Sequence, residues 1–223
     1  KKPNTAVITA TVMARMTTAQ ILKSYRLLFA GLMVLAMAAV HVFTVAILLE
    51  AGKASDVQDR DNLWLNTAQA ISWDNPDIYA AQAAFYRQRA LLNVSEGVDT
   101  DHLKTSLDYW QQAQAASPSW PYYQLGALDI EVLLSSPASV IQRRISSLLE
   151  LAPNERGLDK YLLQLAFITW PNLNENQQAY MLKRLQKSRF GVLEFVYKKA
   201  KEAGNHQAIC VKLSWKKVRR LCK

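Results

Sequence analysis

"AQAASPSWPYYQLGALD", residues 113–129, sets two prolines, a tryptophan and two tyrosines between stretches rich in alanine and glutamine. Upstream, "AQAISWDNPDIYAAQAA", residues 68–84, repeats the outline: Ala-Gln-Ala, then a serine, then a proline at the matching distance. Proline has no N–H to give inside a helix but fits its first turn, where that N–H has no partner anyway. Each stretch therefore reads as the end of one helix and the start of another. On this reading Trp120, Tyr122 and Tyr123 mostly pack at the joint, and an exposed aromatic that touches a partner is the alternative.

Working outward, the joint recurs. Ser136-Pro137, Pro153-Asn154 and Trp170-Pro171 divide the segments that follow, and Gly204-Asn205 reads as a helix stop. Within the segments apolar residues return at helical spacing, as at Leu103, Leu107 and Trp110 or at Ile141, Ile145, Leu148 and Leu149. Asp99 or Thr100 can cap the helix after the polar break "NVSEGVDTD". With only seven glycines, seven prolines and few β-branched runs, the chain is expected to be all-α. Pro76 and Pro121 are 45 apart and Pro118 and Pro153 are 35 apart, the latter close to the ~34-residue tetratricopeptide period. A tetratricopeptide-like stack is expected, because one helical pair cannot bury both of its apolar faces.

"LLFAGLMVLAMAAVHVFTVAILL", residues 27–49, carries no formal charge. At ~1.5 Å per residue it is long enough for a hydrocarbon core of ~30 Å. A cleaved signal peptide is the rival, but its apolar core runs to only ~15 residues and ends at small residues. The expected organisation is a cytoplasmic segment at 1–26, a transmembrane helix at 27–49, a linker at 50–62, the helical domain at 63–205 and one basic amphipathic helix at 206–223. His41 is the one strongly polar side chain in the span. It reads either as a hydrogen-bonding contact to a neighbouring subunit or as a proton-relay or ligand group.

Charge is segregated along the chain. Of 27 basic and 18 acidic residues, five basic and no acidic ones precede Glu50, 9 and 16 fall in 50–179, and 13 and 2 follow from Tyr180. Lys23 and Arg26 flank the span on its N-terminal side while Asp56, Asp59 and Asp61 follow it, so the N-terminus is expected in the cytoplasm and the rest in the periplasm, with the anchor in a bacterial inner membrane. That topology sets nucleic acid aside as a partner of the basic C-terminus. Its Lys212, Lys216, Lys217, Arg219 and Arg220 read as a solvated face or as a contact for anionic lipid or an acidic partner. Cys210 and Cys222 stand 12 apart in what would be an oxidising compartment, which permits a disulfide if the chain bends between them. With His206 they make no recognised metal spacing, and neither metal nor cofactor is expected.

Nothing in the sequence assembles a catalytic constellation. GxGxxG, P-loop, GxSxG and HExxH motifs are missing, and Asp129 and Glu131, two apart on a helix, do not face each other. An interaction protein is expected rather than an enzyme, with Trp120, Tyr122, Arg143, Arg144 and the basic C-terminus as candidate partner contacts.

The segments "AISWDNPDIYAAQAAFYRQRALL" (70–92), "LDYWQQAQAASPSWPYYQLGALDIEV" (107–132), "LLELAPNERGLDKYLLQLAFITWPNLNENQQAYMLKRLQKS" (148–188) and "VYKKAKEAGNHQAIC" (196–210), after a short tail and a single anchor, resemble the VpsP family of bacterial exopolysaccharide biosynthesis. The likeness runs over about residues 20–211, and its most specific parts are Trp120-Pro121-Tyr122 and Trp170-Pro171. It implies a role in polysaccharide synthesis or export, among membrane-bound assembly components, with no catalytic motif to carry across. An accessory subunit of another membrane complex, such as a respiratory, secretion or pilus machine, is the alternative.

Overall fold

The first helix, α1 (Thr18–Ala54), is 37 residues long because nothing in that run breaks it. Proline is absent, and Lys23, Arg26 and the leucines and alanines all favour helix. In the computed structural model, residues 18–57, 62–92 and 97–222 are described, without the side chains of 18–22 and 24. The tail at 1–17, residues 58–61 of the expected linker, residues 93–96 of the polar break and Lys223 lie outside the described residues, while the first five residues of that linker, 50–54, belong to α1. From Tyr25 to Ala54, α1 is apolar enough to cross a membrane, with a mean hydropathy of 2.6. Its large side chains point outwards all round: Leu28, Phe29, Leu35 and Phe43 are each more than 60 % exposed. Inside this run Thr44 satisfies its hydroxyl by donating to the Val40 carbonyl at 2.8 Å.

Every regular element among the described residues is helical. The chain forms two compact units, Lys1–Leu48 and Leu49–Lys223. The second contains the end of α1 and then α2 (Leu63–Ile71), α3 (Pro76–Ala90), α4 (Thr100–Ala116), α5 (Pro121–Leu133), α6 (Ala138–Leu151), α7 (Asp159–Ile168), α8 (Glu175–Lys187), α9 (Phe190–Glu202), α10 (Gln207–Lys212) and α11 (Trp215–Val218), with 3₁₀ turns at Arg156–Leu158 and Trp170–Asn172.

Cap chemistry sets these boundaries. Asn62 caps α2 by accepting from Leu65 N at 3.1 Å, while its amide donates to the Gly52 carbonyl and to Ser55 Oγ, both at 2.7 Å. One buried side chain thus closes α1 and opens α2. Asn75 accepts from Asp77 N ahead of Pro76, and Asn174 accepts from Gln177 N. Asp99 caps α4, accepting from Asp101 N and His102 N at 3.0 and 3.1 Å. Breaks after α2, α5 and α9 use left-handed backbone at Asp74 (φ 45°), Ser135 (φ 53°) and Gly204 (φ 77°).

Consecutive helices then fold back on one another. Ser106 on α4 donates to the Ala83 carbonyl at 2.7 Å and Asp99 N to the Ala90 carbonyl at 3.2 Å, so α3 and α4 run antiparallel. The next pair closes over Gly126 of α5. A Cβ there would stand 2.4 Å from the Trp110 indole, so glycine is what lets the ring lie flat on α5. Beyond α6 the order of packing changes, and α7 packs chiefly on α9 rather than on its neighbour α8. Leu128, Ile145, Leu163, Phe167, Met181 and Val196 are buried together in this half.

The single helix expected over 206–223 is not formed. Two short helices, α10 and α11, meet at Leu213-Ser214, and Ile209, Leu213 and Val218 enter the same core as α6–α9. The C-terminus is therefore part of the domain. Twelve residues of continuous helix would hold Cys210 and Cys222 ~18 Å apart, whereas their Cα atoms are 5.7 Å apart and the sulfurs are bonded.

Arginine–carboxylate pairs tie the helices together. Arg144 of α6 grips both carboxylate oxygens of Glu131 on α5, with Nη2 to Oε1 at 2.6 Å, and its Nη1 donates to Gln114 Oε1 on α4 at 2.9 Å. Arg87 of α3 pairs with Asp129 on α5, and Arg184 of α8 with Asp159 on α7.

Arg144→Met strands a carboxylate that is only 5 % exposed. The expected loss is ~3–5 kcal/mol of unfolding free energy, and the double variant Glu131→Leu/Arg144→Met recovers most of it. Urea unfolding followed by circular dichroism checks both. A second expectation concerns acid. Hydrogen bonds from the His102 backbone N–H and then its ring hold the Asp99 carboxyl below its ordinary value. A depressed carboxyl stabilises the fold fully above its unfolded value, and that contribution is lost as pH falls through the folded one. Asp99→Asn keeps the cap acceptor, so it should be near neutral at low pH and less stable than wild type at neutral pH; Tm against pH measures this.

Candidate interaction surface

The joint at 117–121 presents Trp120 and Tyr122. Trp120 N donates to the Ser117 carbonyl at 3.2 Å, which tightens the turn, and Pro121 then begins α5. The two rings lie with centroids 5.3 Å apart, and Trp120 stays half exposed. Tyr122 leans on the 3₁₀ turn that precedes α7, its hydroxyl reaching Glu155 Oε1 at 3.5 Å, while Glu155 also accepts from Gly157 N at 2.8 Å. A Cβ on Gly157 would stand 2.2 Å from the Tyr122 oxygen, so the contact depends on that glycine. Desolvation, and then the Glu155 carboxylate, push the Tyr122 phenol above its ordinary value. Tyr123, one position on, turns inwards and donates to Asp77 Oδ1 of α3 at 2.8 Å.

The charged candidates divide. Arg143 is exposed on α6, but Arg144, ~100° further round the helix, is committed to Glu131 and Gln114. It holds the stack together and is not a free contact. In the C-terminus Lys212, Lys216, Arg219 and Arg220 are exposed. Arg220 lies over the Phe190 ring at 5.9 Å. Lys217 turns the other way and donates to the carbonyls of Gln186 and of Ser188, the latter at 2.7 Å. It closes the carbonyl end of α8, where a cation is favoured. Val211 and Trp215, 76 % and 62 % exposed, stand among the remaining lysines.

Cys210 and Cys222 are joined, so neither offers a thiolate, and no cluster of three or more metal-ligating side chains occurs among the described residues. His206 meets the Tyr197 ring edge-on, and His41 lies exposed on α1. Asp129 and Glu131 diverge as their spacing requires, each to its own arginine.

One cluster went unnamed in the sequence reading. Arg156, Lys183, Lys187 and Arg189 surround a cleft of about 620 Å³ between the 3₁₀ turn, α8 and the start of α9. Its sequence signal was the acid-poor run after Tyr180, with Lys183 and Lys187 four apart on one helix face. Arg156 comes from a different segment and joins them only through the fold.

No family model, curated protein or solved structure matches this chain.

Opening the disulfide by Cys222→Ser releases a 12-residue separation. The expected loss is ~3 kcal/mol on the chain-entropy account, and guanidinium unfolding of the oxidised wild type and the variant measures it. The loss should appear first as hydrogen exchange in α10 and α11.

Proposed function

We propose that this protein is a membrane-anchored scaffold of bacterial exopolysaccharide synthesis or export, with its helical domain on the periplasmic face. The observation that carries the reading is the half-exposed Trp120, fixed against Tyr122 on a packed helical joint. Large aromatics held rigid lose little entropy on binding and are common anchors of protein interfaces. The apolar run of α1 supports an anchor in the inner membrane, which confines the search for a partner to two dimensions. Lys23 and Arg26 before that run support a cytoplasmic N-terminus. The antiparallel pairs at α3–α6 support a tetratricopeptide-like stack, with α7–α9 departing from it. The exposed Lys212, Lys216, Arg219, Val211 and Trp215 support contact with anionic lipid. The polysaccharide pathway itself comes from the sequence resemblance.

Purification of the native protein in mild detergent, followed by mass spectrometry, tests the reading. A polysaccharide polymerase, flippase or glycosyltransferase is the expected companion, and Trp120→Ala/Tyr122→Ala should weaken its retention by about thirtyfold without loss of helix. Stoichiometric subunits of a respiratory, secretion or pilus machine would replace this reading with that of an accessory subunit.

A further inference from the structure

The cations of this domain fall into three groups: those that serve the fold, those beside an acid of their own, and those that do neither, of which Arg143, Lys212, Lys216 and Arg219 lie outside the cleft beside α8. Some serve the fold: Arg87, Arg144 and Arg184 hold carboxylates, and Lys217 holds carbonyls. Three surface lysines pair with an acid three residues away: Lys53 with Glu50, Lys104 with Asp101 and Lys199 with Glu202. Arg156, Lys183, Lys187 and Arg189 do neither. All four are exposed, they line one cleft, and among the described residues none is within ion-pair distance of a carboxylate. The one acid in the lining, Asp159, is already bound to Arg184. Four like charges gathered round one concavity repel each other and raise the local potential.

The floor of the cleft is rigid. Arg184, with a side chain only 9 % exposed, also donates to the carbonyls of Pro153 and Glu155, and the Tyr180 hydroxyl donates to Pro153 at 3.0 Å. At the opposite wall Arg189 and Val192 bring in the start of α9, a 13-residue helix whose first turn has no side-chain cap. Its partial positive charge adds to that of the side chains. A volume of about 620 Å³ matches a small-molecule site. One carboxylate would leave most of the positive charge unmet; a group bearing two or more negative charges on clustered oxygens would meet it, and guanidinium and ammonium donors suit phosphoryl oxygens.

We propose that this cleft binds a phosphate-bearing ligand of at least two negative charges, with Lys183, Lys187, Arg156 and Arg189 as its donors. Two sources share that chemistry: a soluble diphosphate and a phospholipid headgroup. The inference does not depend on the scaffold reading, since it needs no protein partner and its donors are not among the contact residues proposed there.

Calorimetric titration of the full-length protein in zwitterionic micelles with inorganic pyrophosphate, at constant ionic strength, tests it. Saturable binding is expected, weakened about tenfold or more by Lys183→Gln/Lys187→Gln and unchanged by Lys198→Gln/Lys201→Gln, which alter exposed lysines outside the cleft. Both variants alter exposed side chains without fold contacts, and their circular dichroism should match wild type. No saturation at millimolar pyrophosphate, or equal weakening by the two variants, would overturn the proposal. With binding established, displacement by cardiolipin, whose headgroup carries two phosphates, assigns the ligand to a headgroup, and displacement by a nucleoside diphosphate alone assigns it to a soluble diphosphate; either supports the cleft as the site.

Discussion

The carboxylate of Glu131 is almost wholly withdrawn from water, and the arrangement of three helices follows from the need to hold its charge. A buried ion without a partner costs several kcal/mol, so α6 must present Arg144 at one rotational setting and one height on α5. Gln114 of α4 then takes the remaining face of the same guanidinium. One side chain therefore fixes the mutual register of α4, α5 and α6, a specificity that apolar contacts, which tolerate sliding, do not supply. The same device recurs with Arg87 and Asp129 between α3 and α5, and with Arg184 and Asp159 between α7 and α8. Alternative packings of these alanine-rich helices would each separate a buried or half-buried pair.

Where the sequence was legible, the cause was local. Asn75-Pro76, Asp99 and Gly204 fix helix ends through bonds or dihedral angles within a few residues of themselves, so the boundaries of α3, α4 and α9 could be read from composition alone. The apolar run of α1 was legible for the same reason. Arg144 and Lys217 were not. Periodicity places a basic residue on a helix face, but whether that face meets solvent, a Glu131 thirteen positions away or the Ser188 carbonyl 29 positions away is decided by tertiary packing. Both looked like contact residues because an unpaired cation and a cation holding a distant acceptor have the same local sequence.

The C-terminus shows the two kinds of cause in conflict. Helix propensity favours one continuous helix, but in it Val218, nine residues after Ile209 at ~100° each, would lie on the opposite side from Ile209. The domain core nevertheless needs Ile209, Leu213 and Val218 on one side, and the chain reverses at Leu213-Ser214 to give them. Closing the disulfide and burying these three side chains require the same bend, so covalent and hydrophobic terms reinforce each other.

The distribution of cations carries the functional argument furthest. A domain that uses arginine so regularly to secure its helices would be expected to leave its other basic residues dispersed, where mutual repulsion is least. Lys53, Lys104 and Lys199 behave that way, each beside an acid of its own. At the start of α9 the reverse holds, because residues from the 3₁₀ turn, from α8 and from the α8–α9 joint converge on one concavity whose only acid is taken. Lys187 is favoured by the carbonyl end of α8, but core packing gains nothing from the convergence, and Lys183, Arg156 and Arg189 have no such reason to be basic. An anion placed between them converts the repulsion into binding energy, and the rigid base of Arg184, Pro153 and Tyr180 means that little ordering entropy opposes it.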